Sequence, residues 1–424
     1  MRVYVYASLD GEDILAGTLF ASLRRGREIT TFQYDSSFLS HPKAYSLEPD
    51  MPIGAGSFAF GDGLPRSLRD ASPDRWGRML IEKGLVSAWS EANLTPRTIT
   101  ELDYLLNTSD LTRQGALRFK HEDSSCFEAS GQKVPKLLAL PELLAASNRY
   151  FTDDFDDDDA LSAVKVLLDA GTASLGGARP KTPVIGEDGD GTEALYLAKF
   201  PHPGDQWNIM CWEKTVLDIA EATGIRVPER SLVKVDNSSV LLLKRFDREG
   251  LAGRIGYMSA MTALSKVDGD RGDYLDLLDV AGTISAATSE DYSELWLRVM
   301  LSTVVNNTDD HLRNHGFLRE GSAWRLSPLF DVNPNPAVAA ERVTALAGQT
   351  DFEGSLKSLV DACELFRLTD DLAVGMASRL LGAVGQWQTF ARNNGATQHE
   401  IRMFAPVFER GIAGLEAILA RLRG

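Results

Sequence analysis

The stretch NNTDDHLRNHGFL, residues 306–318, follows the strongly apolar run LRVMLSTVV and brings carboxylate, histidine and asparagine side chains together within a few positions. A packed helix does not accommodate so many polar groups, and a solvated loop does not require the His and Asn. We therefore expect a functional loop that a buried helix holds in place. Its central pair is Asp309 and Asn314, which lies five residues further along.

The spacing of Asp309 and Asn314 matches the catalytic loop of protein kinases, H-R-D-x-x-x-x-N. In such a loop the Asp accepts the proton of the substrate hydroxyl, and the Asn supplies a neutral oxygen to Mg²⁺. Mg²⁺ takes few protein oxygens and keeps phosphates and water as its other ligands. The spacing predicts Asp309 as catalytic base and Asn314 as metal ligand, although Asp309 and Asp310 are also compatible with an ordinary turn.

A second metal ligand is predicted at Asp331, within SPLFDVNPNP. A β-hairpin made of the strand GFLRE, the turn GS and the strand AWRLSPLFDV would return the chain beside the loop and place Asp331 opposite Asn314, where the two share a metal. This is the task of the Asp in the kinase D-F-G motif. Here Phe330 precedes the Asp and the glycine is missing. An Asx turn before Pro334 is the alternative interpretation.

Lys199 lies near the end of the apolar strand ALYLAKF, as the lysine of V-A-I-K does. A lysine at this position can hold nucleotide phosphates. Glu213, in the following helix, is the candidate partner that would orient Lys199 through a charge-assisted hydrogen bond. The alternative is a surface lysine at the end of a strand.

The segment SLGGARPK, residues 174–181, lies upstream of a hairpin whose second strand carries that lysine. Gly176 and Gly177 allow backbone amides to approach phosphates, which a Cβ would hinder. Lys181 adds positive charge. The pattern is neither G-x-G-x-x-G nor a P-loop, so it is equally compatible with an ordinary turn.

Composition limits the partners of the chain. It has 424 residues with 44% apolar side chains and a formal net charge of −16, so bare nucleic acid should repel it. Any role on DNA would need a basic partner or a small local patch.

No apolar run reaches bilayer length, and the N-terminus lacks the order of a signal peptide, so a cytoplasmic protein is expected. Cys126, Cys211 and Cys363 form no CxxC pair and are expected to be small buried side chains.

The order of the segments predicts an α+β chain. Short alternating strands dominate residues 1–60, helical patterns residues 65–105, an α/β pattern residues 161–246, and mainly helical patterns the remainder. The acidic run FTDDFDDDDA, residues 151–160, is interpreted as an exposed loop or linker. A calcium site is the alternative, but the run lacks the glycine and terminal glutamate of an EF-hand loop.

The stretches SLGGARPK, LAKFP, LLLKRFDR, NTDDHLRN and LSPLFDV resemble, in this order, the signature stretches of the HipA-like toxin kinases, the serine/threonine kinases of HipA–HipB toxin–antitoxin pairs. The resemblance covers most of the chain. It implies an α+β, protein-kinase-like two-lobed fold. The expected parts are a β-rich subdomain (1–110), an α/β N-terminal lobe with the glycine-containing loop (111–246) and a helical C-terminal lobe (247–424).

The resemblance also implies the cofactors ATP and Mg²⁺, with Asp309 as base and Asn314 and Asp331 at the metal. Ser174 matches the inhibitory autophosphorylation serine of the family. The expected partner is a helix-turn-helix antitoxin similar to HipB, the expected substrate class is an aminoacyl-tRNA synthetase, and DNA would be reached only through the antitoxin. Together with Glu213, the expected nucleotide site comprises Gly176, Gly177, Ala178, Arg179, Pro180, Lys181, Lys199, Lys244, Arg245, Phe246, His311, Leu312, Arg313, Asn314, Phe330 and Asp331.

Two other functions stay open at this point. A metal-dependent phosphohydrolase could be built on Asp309, Asp310 and His311, but such sites usually need more ligands, and only His315 lies nearby. A kinase-shaped co-repressor that only holds an antitoxin is the second alternative. For His311, a structural side chain that bonds loop carbonyls is favoured over base chemistry, and Asp310 stands where some family members carry a small residue.

Overall fold

The computed structural model describes residues 1–61, 63–131, 133–152, 158–172 and 179–423. The chain packs as two compact units, of which the first comprises Met1–Gly204 and Val233–Met258 and the second Asp205–Leu232 and Ser259–Gly424. Strands and helices are both well represented, as expected for the α+β class. The chain passes between the units near residues 204, 232 and 258, and the three-part division at 110 and 246 stays a prediction.

Most strands lie in the first 260 residues, where the sequence alternates or carries β-branched runs. The strands are β1 Arg2–Leu9, β2 Glu12–Arg24, β3 Arg27–Tyr34, β4 Ser57–Phe60, β5 Leu117–His121, β6 Lys181–Glu187, β7 Glu193–Lys199, β8 Arg230–Val235, β9 Ser238–Lys244, β10 Arg248–Glu249, β11 Gly253–Arg254, β12 Tyr257–Ser259, β13 Gly272–Asp273, β14 Gly316–Glu320, β15 Ala323–Leu326 and β16 Thr344–Ala345.

Helices dominate the second half of the chain, which includes the longest one, α14, as the apolar periodicity predicts. The helices are α1 Ser36–Leu39, α2 Arg66–Asp70, α3 Arg75–Glu91, α4 Glu101–Leu106, α5 Leu140–Thr152, α6 Asp158–Asp169, α7 Ile209–Thr223, α8 Ala260–Ala263, α9 Tyr274–Ile284, α10 Thr288–Val304, α11 Phe352–Asp361, α12 Asp370–Val384, α13 Trp387–Asn393 and α14 Gln398–Arg423. Short 3-10 turns cover Leu137–Ala139 and Leu312–Asn314.

The first unit contains two larger antiparallel sheets and the short antiparallel ribbon of β10 and β11. The N-terminal sheet has the order β4-β3-β2-β1-β5. In the second sheet β6 pairs with β7 and β7 with β9, so the predicted hairpin whose second strand carries Lys199 is confirmed. Trp76 of α3, Leu143 of α5 and Leu167 of α6 pack with Val184 and Tyr196 of this sheet in one buried cluster. This burial fixes the strands that carry the candidate lysines.

The second unit is mainly helical, and α10 is its central helix because nearly all of its last ten residues are buried. The predicted helix α7 ends at Gly224, which has φ +92°, and it packs on the C-terminal helices through Trp212, whose ring stacks on Phe404 at 3.9 Å. Gly411 of α14 lies against the end of α10, where an added Cβ would come within 2.3 Å of Val304 O. The absence of a side chain at Gly411 lets α14 support the helix directly before the candidate loop.

Some expectations need correction. Residues 151–152 end α5 and 158–160 begin α6, so the acidic run is not a loop throughout, and residues 153–157 lie outside the described part. Cys126 is exposed, whereas Cys211 and Cys363 are buried. The predicted strand AWRLSPLFDV is only β15, and the chain after Leu326 has no regular structure up to Asp331. No helix within the described residues is long and apolar enough to cross a membrane.

Candidate active site

The candidate loop begins where α10 ends, at Val305, and closes on itself through backbone hydrogen bonds. Asn307 N donates to Ser302 O (2.8 Å), and Asn306 adopts φ +57° at the turn. His311 N then donates to Asp309 O (3.0 Å). These bonds make the loop a compact turn whose position follows from that of the buried helix.

Asn314 closes the same loop. Asn314 N donates to His311 O (2.8 Å), and the side-chain Nδ2 donates to Asp309 O (3.1 Å). Because the amide nitrogen faces that carbonyl, the Oδ1 atom points away from it. Asn314 is buried, so this orientation is fixed by the surrounding protein. An oriented neutral oxygen is what the predicted metal role requires.

Asp331 reaches the loop by way of the hairpin of β14 and β15, in which Phe317 pairs with Leu326. Ser327 N donates to Gly316 O (2.8 Å), which brings the chain back alongside the loop. Asp331 has φ +55°, a conformation that is uncommon for residues other than glycine and that often occurs at functional sites. The structure thus brings together the three residues predicted for catalysis and metal binding.

The electrostatics of Asp309 reflect this proximity. Its side chain reaches solvent, but the surrounding protein removes part of its hydration, and this is the largest cause that raises its pKa above the ordinary value. His311 opposes the shift, whereas the negative charges of Asp331 and Asp310 add to it. A divalent cation beside Asp331 would neutralise part of that negative charge and lower the pKa of Asp309 again.

The donor atoms near the loop fit Mg²⁺, because they are carboxylate and amide oxygens. Among the described residues no cluster of three or more His, Cys, Asp and Glu side chains is arranged to hold a metal ion. The predicted site is of another kind, because one of its two ligands is the amide oxygen of Asn314. Asn333, two residues after Asp331, has a buried Oδ1 atom that accepts no hydrogen bond from the described residues. The sequence analysis missed Asn333, although the repeated Asn-Pro in VNPNP marked the segment.

Asp310, unlike Asp309, points into the protein. Its carboxylate accepts hydrogen bonds from the hydroxyls of Tyr274 and Ser302 (2.8 Å for Ser302) and lies 2.9 Å from His315 Nε2. Burial opposes its ionisation, but His315 and these hydrogen bonds outweigh burial and lower its pKa. The hydroxyl of Thr344 donates to Asp310 O. Asp310 is therefore anchored in the protein interior and holds the loop in place.

The other residues predicted to line the nucleotide near the loop differ in their burial and in their hydrogen bonds. His311 Nδ1 is buried and has no hydrogen-bond partner among the described residues, so the expected bond from this atom to a loop carbonyl is not observed. Leu312 is buried against Gly272, where an added Cβ would lie 2.8 Å from the leucine side chain. Arg313 donates twice to the carboxylate of Asp268, at 2.7 and 2.8 Å. Phe330 is half-buried. Nucleotide contacts by these residues stay predictions.

Of the glycine-containing segment, Ser174, Gly176, Gly177 and Ala178 lie outside the described residues, and Arg179 and Pro180 are the first residues after that gap.

Lys181 is buried and pairs with Asp74 Oδ2 at 2.8 Å. Asp74 also caps α3 by accepting from Gly77 N (2.7 Å). In the sheet Lys181 lies directly opposite Lys199, so the carboxylate offsets the repulsion between two cross-strand lysines. The ammonium group of Lys181 is thus already paired within its own unit, and a contact with phosphate stays a prediction.

Three residues of the expected nucleotide site lie at the end of β9, whose last residue is Lys244 and which Arg245 and Phe246 directly follow. Lys244 donates to Asp188 Oδ2 (2.7 Å). Arg245 is buried, and its guanidinium bonds Asp247 and the carbonyl of Thr112 (2.9 Å), so this side chain has a structural role. Phe246 is half-buried. Contacts of these residues with adenine stay predictions.

Glu213 is buried on α7 and belongs to the second unit, whereas Lys199 ends β7 in the first. The proposed ion pair between them is therefore a prediction about residues of different units.

The chain matches two family models and one solved structure, which cover most of its length. The HipA N-terminal domain model matches residues 12–120, and the HipA-like C-terminal domain model matches residues 173–395. HipA of Shewanella oneidensis MR-1, solved with HipB and its operator DNA, gives a TM-score of 0.65 at 14% sequence identity. The match covers 99% of this chain and 97% of that one. At this identity the likeness shows the fold, and the expected α+β fold is confirmed.

Curated relatives share shorter parts of the sequence. A Haemophilus influenzae protein named "Putative kinase" is 25% identical over 195 residues, which cover 41% of this chain and 57% of the relative. A Sinorhizobium fredii protein, also named as a kinase, is 27% identical over 222 residues, which cover 46% of this chain and 53% of the relative. This chain thus spans little more than half the length of the curated relatives that it matches.

Proposed function

Because this chain belongs to the HipA-like family, we propose that it is a kinase that transfers the γ-phosphoryl group of ATP to a serine or threonine of a protein. The observation that carries the proposal is the convergence of Asp309, Asn314 and Asp331 within one unit. The names of the curated relatives and the match to HipA agree with this function.

Each residue of the loop has a distinct task in the proposed reaction. Asp309 reaches solvent, and its ionised carboxylate accepts the proton of the attacking hydroxyl. Asn314 and Asp331 would hold Mg²⁺, which would neutralise charge on the phosphates. Asp310 positions the loop, because it is bonded to the protein on the side away from substrate. Catalysis then rests on positioning and on charge stabilisation.

The phosphohydrolase alternative requires Asp310 and His311 to face a metal beside Asp309. Asp310 instead accepts hydrogen bonds from Tyr274 and Ser302, which favours a transferase. Calorimetric titration with ATP and Mg²⁺, together with an assay on model phosphodiesters, tests the proposal. We expect metal-dependent ATP binding without phosphodiester hydrolysis. Hydrolysis of the phosphodiester, or ATP binding that is indifferent to Mg²⁺, would contradict it.

The same proposal extends to the biological context. We propose that the chain is the toxin of a type II toxin–antitoxin system, that it acts in the cytoplasm and that a helix-turn-helix antitoxin binds it. An aminoacyl-tRNA synthetase is the proposed substrate and Ser174 the proposed autophosphorylation site. The structural match to a HipA that was solved with HipB and operator DNA supports the antitoxin partner. Mass spectrometry of the chain after incubation with Mg-ATP tests phosphorylation of Ser174, and a Ser174→Ala variant is the control.

A further inference from the structure

The turn that joins β2 and β3 carries an unusual concentration of positive charge for this acidic chain. Its sequence is LRRGR, residues 23–27, and all five residues are exposed. Among the described residues, no side chain forms an ion pair or hydrogen bond with the guanidinium groups of Arg24, Arg25 and Arg27. The remainder of the sequence is strongly acidic, since the formal net charge of the whole chain is −16.

This basic tip extends beyond the neighbouring strands of its sheet. The pairing of β1 with β2 ends at Phe20, and the pairing of β4 with β3 ends at Thr30. Three further residue pairs, up to Arg24 opposite Arg27, continue the β2–β3 ladder past the ends of β1 and β4. The last of these residues to contact the rest of the unit is Glu28, whose carbonyl accepts from Gly63 N. The pair Arg24–Arg27 and the turn between them therefore extend beyond that contact.

The base of the projection is firmly held. Thr30 Oγ1 donates to Gly63 O (2.6 Å), and Gly63 N donates to Glu28 O (3.0 Å). Glu28 is the acidic residue nearest to the tip in the ladder, and it is engaged by Thr100 and by the backbone of Leu102. Among the described residues Glu28 forms no ion pair with an arginine of the tip. The base of the tip is thus anchored to the rest of the first unit.

The tip also departs from two local preferences of β-hairpins. Arg24 and Arg27 are direct cross-strand partners, and like charges in such a pair are destabilising. Arg25 adopts φ +52° and is followed by Gly26 at φ +78°, the two left-handed positions of a type I′ turn, where Asn and Gly are preferred over a long side chain. Departures of this kind typically mark functional positions. A bound polyanion would remove the repulsion between the arginines.

We propose that this tip binds the phosphodiester backbone of a nucleic acid. Guanidinium groups match phosphate oxygens in a bidentate manner, and a two-stranded ribbon fits the major groove of duplex DNA. A protein partner fits less well, because stable protein interfaces bury about 1,000 Å² or more, and the tip offers Leu23 as its one large apolar side chain. Phosphate contacts gain free energy from counterion release and need no apolar area. The tip is the small local patch that the net charge of the chain requires for such a contact.

The test measures the affinity of the full chain for a fluorescently labelled DNA duplex by anisotropy across a series of salt concentrations. The test variant is Arg24→Gln/Arg25→Gln/Arg27→Gln. The charge-matched control is Arg379→Gln/Arg402→Gln/Arg421→Gln, in which three exposed helix arginines are replaced. The slope of log K against log salt is negative, and we expect its magnitude to decrease by about 2.7 in the tip variant, at roughly 0.9 for each of three lost phosphate contacts. In the control variant the slope should stay near that of the wild type.

Three results would overturn the proposal: no wild-type binding of either the DNA or the RNA duplex at the lowest salt concentration, equal slopes for the two triple variants with both duplexes, or tip-dependent binding of poly-glutamate that is tighter than binding of either duplex. The last result would assign the tip to an acidic protein segment. A parallel titration with an RNA duplex of the same length identifies which nucleic acid is preferred, and a tip-dependent slope with either one supports the proposal.

Discussion

The buried carboxylate of Asp310 offers the sharpest test of how the candidate loop is held. In Asp310→Asn the size of the side chain is kept, but its negative charge is lost and one oxygen acceptor becomes a donor. The Asp310 carboxylate accepts from Tyr274 and Ser302 and faces His315, and Asp310 is only 4% exposed. The amide cannot accept from all of these groups at once, so at least one donor loses its partner.

Removal of one partner from a buried charged network typically costs about 3–5 kcal/mol, and a single hydrogen bond to a charged group contributes about 1.5–3 kcal/mol. The amide of Asp310→Asn keeps one acceptor, so we expect a loss of about 3 kcal/mol in the free energy of unfolding of the second unit. Tyr274→Phe removes one donor and leaves the carboxylate with its other two partners. We expect that variant to lose about 1–2 kcal/mol.

Urea denaturation combined with hydrogen exchange in peptides of the loop measures both effects, and Asp279→Asn, an exposed carboxylate on α9, is the matched control. The pKa of Asp310 is lowered in the folded state, so its contribution is present above the unfolded pKa of about 3.9 and is lost as the pH falls through the folded pKa. The difference between wild type and Asp310→Asn should therefore shrink in acid. A variant within about 0.5 kcal/mol of wild type at neutral pH would refute the reasoning.

Two further substitutions, one in each unit, test the internal packing, and a third serves as a control. Asp247→Asn removes a buried carboxylate whose partners include Arg245, and we expect thermal denaturation to show a loss of about 3–5 kcal/mol that diminishes below about pH 4, because the pKa of Asp247 is lowered in the folded state. An unchanged melting temperature would contradict this. Gly411→Ala places a Cβ against backbone at the end of α10 and should cost about 1–3 kcal/mol, whereas the open helical site in Gly382→Ala should gain about 0.5–1 kcal/mol. Equal effects of the two alanines would show that α14 does not support the loop as described.

The elements that the sequence predicts well are those set by local patterns. The helix α7 with its terminal Gly224, the β6–β7 hairpin and the turn after α10 each depend on residues that are neighbours in the chain. The Asp–Asn spacing of the loop is likewise local, so the sequence alone suggests Asp309 and Asn314 as candidates, and the structure joins them by a hydrogen bond from Asn314 Nδ2 to Asp309 O.

Partners that are distant in the chain could not be identified in this way. Lys181 pairs with Asp74, which lies 107 residues earlier, and the sequence gives no reason to connect them. Tyr274 lies 36 residues before Asp310, so the sequence does not show that these two residues meet. In the sequence Asp310 is recognisable only as a departure from the family pattern. The pattern of a single sequence reports which residues are polar, but only packing decides which polar groups meet.

Transfer of labelled phosphate from ATP tests the central claim most directly. The purified wild-type chain, incubated with labelled ATP and Mg²⁺, should acquire label on Ser174, and the exposed-site control Asp279→Asn should behave in the same way. Asp309→Asn should lower the rate by about 100- to 10,000-fold, the usual contribution of a general base, and Asp331→Asn should abolish the transfer while both variants remain folded. Wild-type-like labelling by either folded variant would contradict the account.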